Sequence, residues 1–324
     1  MLRVVELFSG IGAQTQALKN IGIEHEVVAI AEIDEPAIAS YTALHGEPKL
    51  NMGDITKLNP KEVPDHDLLT YSFPCTDISI CGAQEGLDEG SGTNSSTLWY
   101  CQDVIQEKLP KYLLMENVKN LIGRTHVDNF HKWLNILSSL GYTSYYSILN
   151  AKDFNVPQNR ERVFVVSIRE EREEKYIFPE PVKLEKNMYD ILIDELPEGN
   201  FVMEHLLDKR PHYEESFQEG TLNYVGMIDM RGNESIRRVY HPSGICPTLT
   251  TMDGGHRQPK FLLDDGRVRK LTPQECWRLM GFSDEQYEKI DFQSNRQKYR
   301  QAGNSIVVPV LEGIFTNLFK PNKD

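Results

Sequence analysis

Cys75 stands in Ser72-Phe73-Pro74-Cys75, directly after the apolar run Asp67–Tyr71. Pro74 stiffens the chain and holds a thiol at the end of a strand. The residues that follow, TDISICGAQEGLDEGSG, are rich in glycine and small polar side chains. A structural cysteine prefers a strand interior; one at the head of such a loop suits a nucleophile or a ligand, and the loop suits a lid. Glu116 follows the apolar run YLLM at 112–115. An acid between a buried strand and an open cleft can exchange protons with a bound substrate; the plainer alternative is an acid that starts a helix. Gln158-Asn159-Arg160-Glu161-Arg162 precedes VFVVSI at 163–168. Gln158, Arg160 and Arg162 alternate, so in an extended segment they share one face.

A second group of residues suits a nucleoside. Phe8-Ser9-Gly10-Ile11-Gly12 lies between a strand and a helix, where glycines let backbone approach a ligand and a helix N-terminus offers free N–H groups. A tight strand–helix turn can carry two glycines for steric reasons alone, and G-x-G-A lacks the third glycine of a full dinucleotide fingerprint. Glu32 closes the second apolar run, in the position from which an acid holds ribose hydroxyls. Asp54, in Gly53-Asp54-Ile55, is placed to accept from an adenine amino group or to cap a turn.

These residues need a frame, and the hydrophobic pattern supplies one. Strands are expected at Val4–Phe8, Val27–Ala31, Asp67–Tyr71 and Tyr112–Met115. Helices are expected at Ala13–Asn20, Pro36–His45, Leu98–Lys108 and Phe130–Leu140, the last ended by Gly141. Alternating strands and helices give an α/β fold with a parallel sheet. Ser144–Leu149 and Val163–Ile168 have no helix between them and are expected to pair antiparallel, making the sheet mixed. The Gly loop, Glu32, Cys75 and Glu116 all follow parallel strands, and Gln158–Arg162 precedes an antiparallel one. All therefore converge on the carboxyl edge of one sheet, where open α/β folds bind ligands. After the charge run REEREEK the pattern turns irregular, with Pro-bearing segments up to about residue 270. Helical signals return at Thr272–Met280 (Thr N-cap, Pro at N1, Glu at N3) and at Val310–Leu318. The expected division is 1–178 for a catalytic and cofactor-binding domain, 179–297 for a smaller domain and hinge, and 298–324 for a segment returning to the first.

The 324 residues are 40% hydrophobic and 26% charged, a globular composition. No uninterrupted apolar run reaches the roughly 18–20 residues of a membrane span, and the N-terminus lacks the sections of a signal peptide. Five cysteines without CxxC spacing argue against a disulfide framework and a zinc site, so no metal is expected and the compartment is expected to be reducing and intracellular. The net charge is −13, yet residues 231–270 hold eight basic against four acidic residues. This basic island is either a solvated loop region or a local binding surface.

In this order, F-S-G-I-G, S-F-P-C, E-N-V, Q-N-R-E-R, R-K-L-T-P-Q-E-C-W-R-L-M-G-F and Q-A-G-N-S resemble the motifs of the C5-cytosine-specific DNA methyltransferase family of bacterial and phage type. The likeness covers nearly the whole chain except much of 170–235. It implies a Rossmann-like S-adenosylmethionine-dependent methyltransferase fold with a second, smaller, irregular target-recognition domain. It also implies transfer of a methyl group to C5 of a flipped-out cytosine in a specific sequence of duplex DNA, through a covalent bond from Cys75 to C6. The resemblance makes Cys75, Glu116, Arg160 and Arg162 catalytic. For S-adenosyl-L-methionine it marks Phe8, Gly10, Ile11, Gly12, Glu32, Ile33, Asp54, Ile55, Pro74, Leu98, Asn304 and Ser305. Gln158, Arg231, Arg237, Arg238, Thr248, Thr250, His256, Arg257 and Lys260 become candidates for DNA contacts. By the same resemblance the enzyme is a cytoplasmic monomer, nucleoid-associated during action, with no membrane partner and with a companion restriction endonuclease as a possible associate.

Three residues depart from the family pattern. Thr76 follows Cys75 where glutamine is usual, Ile33 stands where many members carry an aromatic residue, and Cys81 replaces a small polar residue. Three other readings compete; one of them, a catalytically inactive DNA-binding relative, is opposed by the joint presence of Cys75, Glu116, Arg160 and Arg162. The tRNA-methylating branch of the family carries a Cys-Phe-Thr tripeptide that this sequence lacks. A nicotinamide-dependent oxidoreductase accounts for the glycine loop and Glu32 but leaves ENV, QxRxR and GNS without a role.

Overall fold

The computed structural model describes residues 1–74, 94–169, 175–196, 199–202, 206–252 and 256–320; Cys75, Thr76 and Cys81 lie outside them. The chain forms two compact units. The first is Met1–Leu149, Glu161–Pro179 and Leu311–Asp324, and the second is Asn150–Arg160 and Glu180–Val310.

In chain order the first half contains β1 (Leu2–Leu7), α1 (Ala13–Asn20), β2 (His25–Ala31), α2 (Glu35–His45), β3 (Leu68–Tyr71), α3 (Leu98–Lys108), β4 (Tyr112–Val118), α4 (Val127–Ser139) and β5 (Thr143–Asn150). The short β6 (Gln158–Asn159), which belongs to the second unit, and β7 (Glu161–Ile168) follow. The sheet of the first unit has the order β2-β1-β3-β4-β7-β5. β1 to β4 run parallel and β7 runs antiparallel to β4. Ser144, near the start of β5, bonds Ser167, near the end of β7, at 2.7 Å, so these two strands also run antiparallel.

Side chains along each strand alternate between two buried faces. Val5, Leu7, Leu69, Tyr71, Leu113, Met115, Val163 and Val165 share one core with Trp99 and Ile105 of α3 and with Phe130, Trp133 and Leu137 of α4. Residues one step out of phase meet other helices: Glu6 accepts from Thr15 of α1, and the Tyr112 ring contacts Phe319 in the chain's last helix at 5.2 Å. Burial on both faces explains why these strands read as continuous apolar runs. β4 extends through Val118, three residues beyond the expected end, because β7 pairs with it over its whole length. Glu116 is therefore a strand residue, not a helix-start acid.

The second unit has a sheet of its own where the sequence suggested irregular chain. It comprises β8 (Phe201–Val202), β9 (Leu207–Lys209), β10 (Tyr224–Ile228), β11 (Arg238–Tyr240), β13 (Lys260–Leu262) and β14 (Val268–Lys270), in the order β8-β14-β13-β11-β10-β9. β12 (Cys246–Pro247) pairs instead with β6. Strands of two to five residues are too short to show period-two patterning. The unit also contains α5 (Glu234–Arg237), α6 (Pro273–Arg278), α7 (Asp284–Glu288) and α8 (Asn295–Asn304). α6 begins with the capping box that Thr272 and Glu275 announce. α9 (Val308–Phe319) carries the chain back into the first unit at Leu311.

Residues 295–319 have the length and hydropathy of a membrane span. The backbone leaves the helical conformation between Asn304 and Val308, and Val308, Leu311, Ile314, Phe315 and Leu318 are all buried in the protein. This stretch passes a length that the uninterrupted apolar runs did not reach, and it does so as two helices.

Gly303 in α8 marks a tight backbone approach in the second unit. A Cβ there would lie 2.1 Å from the Thr250 carbonyl oxygen and 2.4 Å from its carbon. Backbone cannot yield as a side chain can, so Gly303→Ala is expected to cost about 2–4 kcal/mol. A urea-unfolding midpoint within error of the wild type would contradict that contact.

Candidate active site at the carboxyl ends of the strands

β1 lies between β2 and β3, so the chain leaves β1 toward one side and returns on the other. The strand order therefore reverses at β1, and open α/β folds bind ligands at the carboxyl edge of such a switch point. The loop after β1 is left-handed at Phe8, Gly10 and Gly12, with φ of 57°, 53° and 75°. Only glycine adopts such angles without strain, and a Cβ built on Gly10 would meet nothing within 4 Å. The Gly10 N–H donates to Glu32 Oε2 at 2.9 Å. Glu32 Oε1 accepts from the Ile33 and Asp34 N–H groups, also at 2.9 Å. Asn51, which the sequence did not single out, clasps Glu32 from outside: its Oδ1 accepts from the Glu32 N–H and its Nδ2 donates to the Glu32 carbonyl.

The carboxylate is thus fixed by three N–H donors and keeps lone pairs for further donors such as ribose hydroxyls. Ile33 beside it is 68% exposed, an apolar face next to an anchored acid. Open space at Gly10, an oriented acceptor and an exposed apolar side chain fit an adenosine moiety. Asp54 caps the turn after Gly53 by accepting from the Thr56 N–H and hydroxyl. Those bonds, with Lys57 adjacent, hold its carboxyl below the usual range. Ile11, Ile55 and Leu98 are buried, the last two within the core of the first unit. Pro74 accepts from Ser95 Oγ at 2.8 Å through its carbonyl.

The other half of the site comes from β3, β4 and β7. Val118 pairs with Arg162 and Glu116 with Phe164, which makes Glu116 and Arg162 diagonal neighbours on one face. Arg162 Nε lies 3.3 Å from Glu116 Oε1, with the two side chains 16% and 11% exposed. Asn117 points the other way and donates to the Phe73 carbonyl at 3.0 Å, tying the exit of β3 to β4. Tyr71, one residue before Ser72, accepts from Trp133 Nε1 at 3.2 Å. The chain leading to Cys75 is therefore anchored as far as Pro74.

The sequence profile of C-5 cytosine-specific DNA methylases matches residues 2–320. The chain belongs to this family. It is 38% identical to the type II methyltransferase M2.ScrFI of Lactococcus lactis subsp. cremoris, covering 99% of both chains. It is 34% identical to the type II methyltransferase M.HhaI of Haemophilus parahaemolyticus, covering 99% of this chain and 96% of that one. It is also 32% identical to the orphan methyltransferase M.SPBetaI of Bacillus phage SPbeta, over 98% and 97%. Among solved structures, the S. pombe Dnmt2 methyltransferase superposes with a TM-score of 0.74 at 23% identity, covering 99% of each chain. The fold is that of an S-adenosylmethionine-dependent methyltransferase, and the family transfers the methyl of that cofactor to C5 of cytosine in DNA.

Within this DNA methyltransferase the Gln158–Arg162 motif does not form one exposed face. The boundary between units falls between Arg160 and Glu161. Gln158 is fully buried; its Nε2 donates to the Leu279 carbonyl and its Oε1 accepts from the Leu249 N–H. Arg160 is 4% exposed and donates to the carbonyls of Leu249, Gly303 and Ser305 at 2.8–2.9 Å. Gln158 is thus not placed to touch DNA, nor Arg160 to touch a substrate; both fasten segments of the second unit together. Ser305 is buried and Asn304 exposed at the end of α8.

The basic island also divides. Lys260 is 1% exposed and donates to the carbonyls of Ile236, His256 and Gln258, so it closes loops and offers DNA no surface charge. Burial, with Lys270 nearby, lowers its pKa to about 8. Arg237 donates to the Ile228 carbonyl and Arg238 pairs with Glu234. Thr248 donates to the Asn159 carbonyl, and Thr250 accepts from the Met252 N–H. Arg231, His256 and Arg257 are exposed.

Glu6 was missed because an acid within VVELF reads as an interruption of a strand. It is fully buried, accepts from Thr15 Oγ1 at 2.7 Å, and has no partner on Oε2. Burial raises its pKa to about 7. The folded protein therefore keeps this proton while the unfolded chain releases it above about pH 4.5. Glu6 costs nothing below that value, and stability falls by about 3 kcal/mol as pH rises to 7, then levels. Urea unfolding should show this fall in the wild type and a flatter profile in Glu6→Gln. Identical profiles would show that the Glu6 carboxyl is ionised on folding.

Proposed function

We propose that Cys75 is the nucleophile of this methyltransferase, with Glu116 and Arg162 as the groups that activate the base. The observation that carries the assignment is the Glu116–Arg162 pair at the carboxyl edge, next to the anchored exit of β3. Cytosine C5 is a poor nucleophile. Addition of the Cys75 thiolate to C6 makes the ring an enamine that is nucleophilic at C5. A free thiol has a pKa of about 8.5, so the site must favour the thiolate or couple its formation to substrate binding. Protonated Glu116 donates to N3 and accepts from the exocyclic amine, drawing electron density from C6 as the thiolate adds. Arg162 contacts O2 and keeps Glu116 oriented. When bound, S-adenosylmethionine supplies the electrophilic methyl group. Loss of the C5 proton and departure of the Cys75 sulfur from C6 then release 5-methylcytosine.

Phe8, Gly10, Glu32, Ile33, Asp54 and Pro74 would face the cofactor. The second unit serves as the target-recognition domain and hinge, and the segment from Leu311, rather than from 298, returns to the catalytic domain. Arg231, His256 and Arg257, exposed in the basic island, carry the DNA contacts there. Flipping the target base costs a few kcal/mol, offset by contacts to the duplex. The protein works as a monomer in a bacterial or phage-infected cytoplasm and belongs with the modification enzymes that accompany restriction endonucleases, in keeping with the type II names of its relatives.

Labelled methyl from S-adenosylmethionine should appear in duplex DNA, not in tRNA, and vanish in Cys75→Ser with cofactor binding retained. Counts confined to tRNA, or retained in Cys75→Ser, would overturn the assignment. DNA affinity should fall with salt, and Arg231→Ala with Arg257→Ala should reduce the slope of log K against log salt by about two. An unchanged slope would remove these two arginines from the DNA surface.

A further inference from the structure

His45, the last residue of α2, has no place in the motifs above. It lies against the loop that follows β1. Its Nε2 is 3.0 Å from the Ile11 carbonyl oxygen and its Nδ1 is 3.1 Å from Lys19 Nζ. A carbonyl only accepts, so Nε2 carries the hydrogen. Nδ1 is then left to accept from the Lys19 ammonium. One neutral imidazole in one tautomer thus joins the last turn of α1 to the middle of the glycine loop.

The same ring fills the space behind Gly12. A Cβ on Gly12 would lie 2.6 Å from His45 Cδ2 and Nε2 and 2.7 Å from Tyr41 Cε2. Tyr41 and His45 meet edge to face, with centroids 4.9 Å apart. Two residues earlier, at Gly10, the equivalent position is open. The loop is therefore backed by rings from α2 at Gly12 and open at Gly10. Its middle is held by two different groups: Glu32 takes the Gly10 N–H and His45 takes the Ile11 carbonyl.

We infer that His45 is a positioning residue for the cofactor: by holding the Ile11 carbonyl and walling Gly12, it keeps the Phe8–Gly12 backbone turned toward the nucleoside. The inference rests on the reading that this loop holds S-adenosylmethionine. Without the imidazole the Ile11–Gly12 peptide keeps only the bond from the Gly12 N–H to the Ser9 carbonyl, and part of the binding free energy goes into ordering it again. The loss falls equally on ground and transition states, so it appears in cofactor affinity and KM rather than in kcat.

The test is equilibrium binding of S-adenosylmethionine, with KM and kcat, for the full-length wild type, His45→Ala, His45→Gln and Glu32→Ala. Gln can place an N–H near the position of Nε2. His45→Ala should weaken binding about tenfold, the loss of one hydrogen bond. His45→Gln should stay within about twofold of the wild type. KM for DNA and kcat at saturating cofactor should not move. Unchanged affinity in His45→Ala with a lowered Tm, or no recovery in His45→Gln, would reduce His45 to a structural residue and overturn the inference. Unchanged affinity in Glu32→Ala as well would remove the loop from the cofactor site, a failure of the underlying reading rather than of His45 alone.

Discussion

The antiparallel pairing of β7 with β4 is the constraint on which the site depends. Were β7 parallel like the first four strands, its N-terminal residues would lie at the opposite edge of the sheet. Because it enters at the carboxyl edge, Arg162 arrives diagonally opposite Glu116. A carboxylate that is mostly buried needs a partner, and the register supplies a guanidinium at 3.3 Å. The same pairing lengthens β4 to Val118, so Asn117 is held rigidly enough to anchor Phe73. An acid, its cation and the approach to Cys75 are thus set by one strand pair rather than by flexible loops.

The cofactor side follows a related logic with different materials. The loop after β1 is backbone turned left-handed, and its stability comes from side chains that arrive from elsewhere. Glu32, just past β2 and itself clasped by Asn51, grips it at Gly10, while His45 and Tyr41 support it from α2. Buried arginine and lysine side chains do comparable work in the second unit. Arg160 and Lys260 each bind three backbone carbonyls, which satisfies oxygens that short strands and turns leave without partners.

The first unit was legible because its strands are buried on both faces and its helices carry clear end signals. Gly141, in the left-handed conformation after α4, and the Thr272–Glu275 capping box are local features with local causes. The motif order was legible because loops after parallel strands must meet at one edge. The second unit's sheet was not, since β8 has two residues and β9, β11, β13 and β14 have three each. Gln158 and Lys260 were read as surface groups because charge and polarity are visible in a sequence whereas their partners are not. Leu279, which accepts from Gln158, lies 121 residues away. Glu6 and His45 escaped for the same reason: what makes them notable is the company they keep in space.

Trapping the covalent step on duplex DNA that carries 5-fluorocytosine at the target position tests the central claim most directly. Fluorine at C5 cannot leave as the proton does, so elimination stops after methyl transfer and the enzyme stays bonded to C6. Mass spectrometry of the digested complex should find the modified base on the Cys75 peptide, in high yield for the wild type and in much lower yield for Glu116→Gln. An adduct on another residue, or equal yield in Glu116→Gln, would contradict the account of this strand edge as the site that activates cytosine.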